Sequence, residues 1–268
     1  MTEQRILITG AAGGVGRLMR PRLRRPDRVL RLLDITAPAP AEPGERVEIS
    51  TGSITDPAVI GRACADVDAI IHLGGLSRED TFENILAVNV AGTHRVLEAA
   101  RAAGVSRVVL ASSNHAAGFR LLTEAGTDGL PADSSPRPDT YYGFSKAAIE
   151  ALGSLYQSRF GLDVICVRIG TLFEEPIDAR ALSTWLSPDD GARLFEACLS
   201  APSPGFRIIW GVSDNTRRVA SLAEAAALGY ESKDNAEAYA DRFPDGGPDW
   251  DYVGGGFTTT PLGQPNPM

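Results

Sequence analysis

A doubly wound (Rossmann) α/β fold with a parallel sheet is what this sequence predicts, and three observations predict it. Short apolar, β-branched runs alternate with helical patterns from Ile6 to about Gly170. A glycine-rich turn, Gly10–Gly16, follows the first run directly and opens a helix. The chain, 268 residues and 43% hydrophobic, is long enough for one large domain with a substantial core and a small C-terminal substrate-binding lobe.

In chain order, Arg5–Thr9 is strand one, Arg28–Leu33 strand two and Val47–Ser50 strand three. Val67–Leu73, Ser106–Ser112 and Leu162–Arg168 follow. Runs such as Arg5-Ile-Leu-Ile-Thr9 are expected of parallel strands covered on both faces. Helical patterns fill the intervals at Gly14–Arg24, Pro57–Cys64, Glu79–Ala103 and Thr140–Phe160, which implies right-handed crossovers. Pro/Gly-rich stretches at Ala37–Gly44, Gly129–Pro138 and Gly246–Met268 read as loops or a tail, so residues 1–268 form one domain. The less regular remainder, mainly 171–190 and 205–268, is expected to supply the substrate side.

A formal net charge of −8 argues against nucleic acid, whose phosphates need a basic patch. The arginines between Arg17 and Arg31 are expected to form a solvated helix face. Three scattered cysteines, Cys64, Cys166 and Cys198, lack metal-ligand spacing and suit buried, reduced thiols. No apolar run reaches the roughly 20 residues of a membrane span, and strand one starts too early to leave room for a signal peptide. A soluble cytoplasmic protein is the expectation.

Gly10, Gly13 and Gly16 give the spacing GxxGxxG, in which glycines permit a tight turn and close approach to a pyrophosphate. The amides of Gly14, Val15 and Gly16 then open the helix toward the phosphates. Asp34 ends strand two about 18 residues beyond Gly16, where a carboxylate accepts from ribose hydroxyls and repels a 2′-phosphate. NAD is therefore favoured over NADP, although Arg17 and Arg31 lie close enough to offset that repulsion. Ile35 follows Asp34 at the same edge. Leu73-Gly74-Gly75 lies at the carboxyl end of strand four and fits either a cofactor edge or a plain turn. Ser53-Ile54 fits an adenine-lining loop or an ordinary one.

Tyr142 and Lys146 stand four apart on a helix and share a face. A neighbouring ammonium favours a phenolate, so Lys146 is expected to bring the phenol toward working pH as a base. Strand five ends in Ser112-Ser113-Asn114-His115, where Ser113 can hold the reacting oxygen against Tyr142.

Together these residues resemble the extended short-chain dehydrogenase/reductase family over Ile6 to about Gly170. The resemblance implies Ser113, Tyr142 and Lys146 as catalytic residues, NAD as cofactor, and Asn89, Ser112 and Ile169 beside it. Further segments are similar to uronate dehydrogenases: His72-Leu-Gly-Gly-Leu-Ser77, Ser112-Ser-Asn-His115, Val167-Arg-Ile-Gly170, Leu182-Ser-Thr-Trp185, Ile209-Trp-Gly211 and Lys233-Asp-Asn-Ala-Glu237. That likeness implies oxidation of the anomeric carbon of a uronic acid to a lactone. It puts Ser77, Ser113, Asn114, His115, Tyr142, Thr171 and Arg180 at the substrate, and a homo-oligomer is common among such enzymes. Arg180 suits a carboxylate, though Asp178-Ala-Arg180 also reads as a surface ion pair. The chain departs from the pattern at Ser53, where relatives carry Asp, at Thr171 for Ser, and at Arg217-Arg218 in place of aromatic residues. A nucleotide-sugar epimerase or dehydratase is a second reading, and a non-catalytic dinucleotide sensor a third. The stretch after Lys146 is short for a nucleotide-diphosphate lobe, and sensors tend to lose the Tyr/Lys pair.

Overall fold

The computed structural model describes residues 3–246 and 250–265. Residues 247–249 and 266–268 of the Gly246–Met268 tail therefore lie outside the described residues. Seven parallel strands make one sheet in the order β3-β2-β1-β4-β5-β6-β9. They are β1 (Gln4–Thr9), β2 (Arg28–Asp34), β3 (Val47–Thr51), β4 (Ala69–His72), β5 (Arg107–Ser113), β6 (Asp163–Ile169) and β9 (Phe206–Gly211). Two two-residue strands, β7 (Thr171–Leu172) and β8 (Trp185–Leu186), pair separately.

Alternation along the strands sends Ile6 and Ile8 to one face and Leu7 to the other, and all three are fully buried. Helix α1 (Gly14–Arg22) covers the first face with Met19. Helices α2 (Pro57–Ala63), α4 (Ala91–Ala103) and α5 (Tyr141–Phe160) cover the second with Ile60, Val96, Leu97 and Ile149. The strand order reverses between β1 and β4, so the carboxyl ends of β1, β4 and β5 open onto one crevice.

Three expectations are corrected. The helix expected over Glu79–Ala103 is broken: α3 (Phe82–Ile85) passes through a π turn at Leu86–Val90 into α4. Residues 188–190 and 205–211, expected on the substrate side, belong to the sheet domain. Helix α7 (Pro188–Ser200) packs Leu194 and Phe195 on the first face beside α1, and β9 extends the sheet next to β6. The arginine cluster is a solvated face only in part: Arg17, Arg24 and Arg25 are exposed. Arg20 is buried against Glu45 (2.6 and 2.7 Å) and Arg28 against Glu196 (2.6 Å), while Arg31 meets Glu48 (2.6 Å). The Arg20 guanidinium holds the Glu45 carboxyl down to about 2. All three cysteines are buried free thiols. Among the described residues, no helix is long and apolar enough to cross a membrane.

His72 ends β4 inside this core. Its Nδ1 is 2.6 Å from Thr9 Oγ1 and its Nε2 3.0 Å from Thr93 Oγ1. Burial, aided by the Lys146 charge, lowers its pKa from 6.5 to about 3. The unfolded chain thus takes up this proton near 6.5 and the folded protein only near 3. Its stabilising effect is complete above pH 6.5 and drains as the pH falls toward 3. At pH 5 the expected loss is about 2 kcal/mol relative to pH 7. Denaturant midpoints at the two pH values measure it, and His72→Asn should flatten that part of the pH dependence. An unchanged slope would mean that His72 protonates freely in the fold.

Candidate active site

The nucleotide end is built by close backbone packing. Gly10 sits at φ +71°, and a Cβ there would lie 2.7 Å from the Gly74 amide nitrogen. That contact brings the Gly10–Gly16 turn against Leu73-Gly74, where Gly74 N–H donates to Thr9 Oγ1 (3.2 Å). A Cβ on Gly16 would meet Gly10 O at 2.4 Å, whereas one on Gly14 would meet nothing within 4 Å. The N-cap of α1 is Gly13, which offers no side-chain acceptor. The amides of Gly14, Val15 and Gly16 therefore point out of an open, uncapped helix end, which suits a pyrophosphate.

Asp34 Oδ2 accepts from Ala12 N–H (2.9 Å) and Oδ1 from Thr36 N–H (3.0 Å), which fixes the carboxylate beside that turn. Its remaining lone pairs suit ribose hydroxyls. Arg31 is bound to Glu48 and to the carbonyls of Ala63 and Ala65, so it does not offset Asp34 toward a 2′-phosphate. Arg17 is held by Ala12 O (2.7 Å). Ile35 is 72% exposed, a large apolar side chain left for a flat base to cover. Ser53 Oγ is paired with Thr55 Oγ1 (2.7 Å), and Ile54 is buried against Gly92 and Gly74.

Two expected cofactor side chains are spent elsewhere. Asn89, in the π turn, accepts from Leu76 N–H (2.7 Å) and donates to Leu76 O (3.0 Å) and Ser145 Oγ (2.9 Å). It props up the Leu76-Ser77 loop and the wall next to the exposed Gly75. Ser112 donates to Glu150 Oε1 (2.6 Å), and the buried Arg168 guanidinium donates to the same carboxylate, Nε to Oε1 (2.9 Å) and Nη2 to Oε2 (2.8 Å). Ile169 ends β6 beside Gly211.

At the other end, Ser113 closes β5 and caps the short 3₁₀ turn Asn114–Ala117 by accepting from His115 N–H (3.2 Å). Thr140 caps α5, accepting from Gly143 N–H (3.0 Å), and this brings Tyr142 and Lys146 onto the first turns of that helix. Lys146 Nζ donates to Ala111 O (2.7 Å) and stands 5.4 Å from the centre of the Tyr142 ring. Burial pushes the Tyr142 phenol up to about 12, and a hydrogen bond from Ser113 works in the opposite direction. Burial also brings Lys146 down to about 8, opposed by Glu150 one turn along. The expectation that Lys146 lowers the phenol is thus corrected: desolvation wins, and Ser113 is the group that favours the phenolate.

On the substrate side, Asn114 Nδ2 (3.3 Å) and Arg180 (2.6 Å) both donate to Val253 O, which ties the guanidinium to the end of β5. No Arg180–Asp178 ion pair forms among the described residues; Asp178 instead accepts from Ala181 N–H (2.7 Å). Burial lowers the Arg180 pKa, against the pull of Asp178 and Asp139. Thr171 Oγ1 meets Thr184 Oγ1 (2.8 Å), and Ser77 is exposed on its loop. His115 Nδ1 lies 2.6 Å from Asp139 Oδ2, and its ring stacks on Phe257 (4.0 Å).

Sequence reasoning missed Asp139, Phe257 and Glu79. Glu79 accepts from Tyr142 N–H (2.8 Å) and Gly263 N–H (2.9 Å), tying the C-terminal segment to the head of α5. Asp139-Thr140 carries a legible helix-start signal, but that signal points to Thr140 as the cap and says nothing of His115.

A doubly wound sheet with a dinucleotide turn and a Ser/Tyr/Lys constellation at the same crevice defines a nicotinamide-dependent oxidoreductase of the short-chain type. The chain belongs to the NAD dependent epimerase/dehydratase family, whose model matches residues 6–186. It is 42% identical to a uronate dehydrogenase of Pseudomonas syringae pv. tomato, over 97% of this chain and 95% of that one. Two solved structures are similar. One is a uronate dehydrogenase mutant from Agrobacterium tumefaciens complexed with NAD (TM-score 0.89, 38% identity, 97% and 98% covered). The other is a glucuronic acid dehydrogenase from Chromohalobacter salexigens (TM-score 0.90, 36% identity, 97% and 98% covered).

Proposed function

We propose that this protein oxidises the anomeric carbon of a hexuronic acid, galacturonate or glucuronate, to the aldaric acid lactone with NAD. The observation that carries the reading is Arg180. This partly buried guanidinium is held near Asn114 by its bond to the Val253 carbonyl. A half-buried cation with donors to spare, tied to the same carbonyl as the residue that follows Ser113, suits a substrate carboxylate.

Gly14, Val15 and Gly16 would hold the cofactor's pyrophosphate and Asp34 its ribose; when bound, the nicotinamide ring supplies the hydride acceptor. Tyr142, as phenolate, takes the proton from the anomeric hydroxyl as hydride departs from C1, leaving a carbonyl within the ring. Ser113 has one hydroxyl hydrogen: it donates to the phenolate before transfer and to the substrate oxygen as charge moves there. Lys146, anchored on Ala111 O, keeps a positive charge next to the Tyr142 ring. Asn114 and His115 read ring hydroxyls, Ser77 and Thr171 line the mouth, and the C-terminal segment closes the substrate side through Phe257.

NADH formation across a panel of uronates, the corresponding neutral hexoses, sugar phosphates and nucleotide sugars tests the reading. Uronates are expected to exceed their neutral counterparts by about 100-fold or more in kcat/KM, as loss of a charge-assisted pair implies. Preference for a neutral or nucleotide sugar would overturn it.

A further inference from the structure

Asp139 is a buried carboxylate that the mechanism leaves unused. Its side chain has no exposed surface, and it faces His115 rather than an arginine or lysine. Backbone closes around it from three segments. A Cβ on Gly118 or Gly254 would fall 2.1 Å from Oδ2, and one on Gly143 would fall 2.7 Å from Oδ1. Oδ1 accepts the Thr140 hydroxyl (3.0 Å), and Oδ2 lies 2.6 Å from His115 Nδ1. The imidazole is fixed in its plane as well, stacked on Phe257 at 4.0 Å and edge-on to Tyr142 at 5.8 Å.

A carboxylate only accepts, so the hydrogen of this pair sits on Nδ1. In neutral imidazole the other nitrogen is then a bare acceptor. We propose that Asp139 is a positioning residue that holds His115 in its Nδ1–H tautomer, so that Nε2 accepts a hydrogen bond from the sugar's C2 hydroxyl. The assignment to C2 follows from placement. Tyr142 and Ser113 serve the oxygen on C1, and the His115 ring touches Tyr142 from the side two residues beyond Ser113. The pair rests on the uronate reading and deepens it: a fixed acceptor discriminates for a hydroxyl in the right place. A substrate without that hydroxyl leaves Nε2 unpaired in a closed site, a mismatch that sites of this kind reject strongly.

Two measurements on the unaltered protein and one on a variant decide it. The sequence has only three histidines, so ¹⁵N-resolved NMR of the neutral imidazoles can identify each ring. His115 is expected to show a protonated Nδ1 and a pyridine-type Nε2; the opposite tautomer would overturn the proposal. In steady-state kinetics, glucuronate is expected to exceed 2-deoxyglucuronate by about 100-fold in kcat/KM. Equal values would overturn it without any mutation. In Asp139→Ala, that advantage should shrink to a few-fold while NAD affinity stays constant. If both substrates lose activity by the same factor, Asp139 is only a packing residue. The NMR result needs no substrate, so it stands even if the protein turns over no uronate, and the two ideas fail separately.

Discussion

Tyr142→Phe yields a protein that binds NAD and forms no measurable NADH from a uronate. The expected loss in kcat is about 10³-fold or more, at the upper end of what one acid–base group contributes. No neighbour is free to take over. Lys146 is committed to Ala111 O, His115 has Nδ1 on Asp139 and Nε2 reserved for the sugar's C2 hydroxyl, and Ser113 is an alcohol. Removing one oxygen from a buried ring leaves the shape of α5 unchanged, so calorimetric NAD affinity should move less than about threefold. The unaltered enzyme supplies a companion measurement. With Tyr142 near 12 and Lys146 near 8, the phenolate fraction grows about tenfold per pH unit below 8 while the ammonium stays intact. Above 8, each further unit gains phenolate and loses ammonium in equal measure. kcat/KM should therefore climb to about pH 8 and then level. Activity within tenfold of the parent in Tyr142→Phe would move the base elsewhere.

The sequence exposes those elements whose cause is local. Five of the six early strands carry buried apolar runs (β3, at the sheet edge, does not), and the Gly10–Gly16 turn carries its own conformational demand, so these are legible. The face shared by Tyr142 and Lys146 follows from helical spacing alone. Helix α7 was legible too: Ser187 caps it, Pro188 starts it, and Asp189 and Asp190 occupy its first turn. The irregular residues on either side of it mask that signal. What stayed hidden depends on partners distant in sequence. Asn89 looked like a cofactor ligand until Leu76 and Ser145 consumed its carboxamide. The arginines near α1 looked solvated until Glu45, Glu48 and Glu196 folded onto them. Asp139 and Glu79 gain meaning only from what the fold packs against them. The same holds for the protonation of Tyr142, where spacing supplied the charge partner but desolvation, a property of the assembled core, decides the direction.

Arg180→Met should separate recognition of the carboxylate from the architecture around it. If the guanidinium pairs with the uronate carboxylate, removing it costs about 3 kcal/mol of substrate binding, or roughly 150-fold in KM, with a smaller change in kcat. Arg180 also donates to Val253 O, and a Cβ on Gly255 would fall 2.6 Å from its Nε, so it also anchors the C-terminal segment. A variant could therefore lose activity simply because that segment lifts away. The two causes leave different traces. A lifted segment removes Phe257 from His115 and lowers turnover of every substrate alike. A missing charge partner penalises the uronate and spares the uronamide or neutral hexose, so the ratio between them collapses toward one. Arg180→Lys keeps the charge without the planar fork and should recover part of that ratio, because a point charge still attracts a carboxylate without bidentate geometry. An unchanged KM for the uronate in Arg180→Met would leave the buried guanidinium as a strut for the C-terminal segment and remove the central support for an acidic sugar.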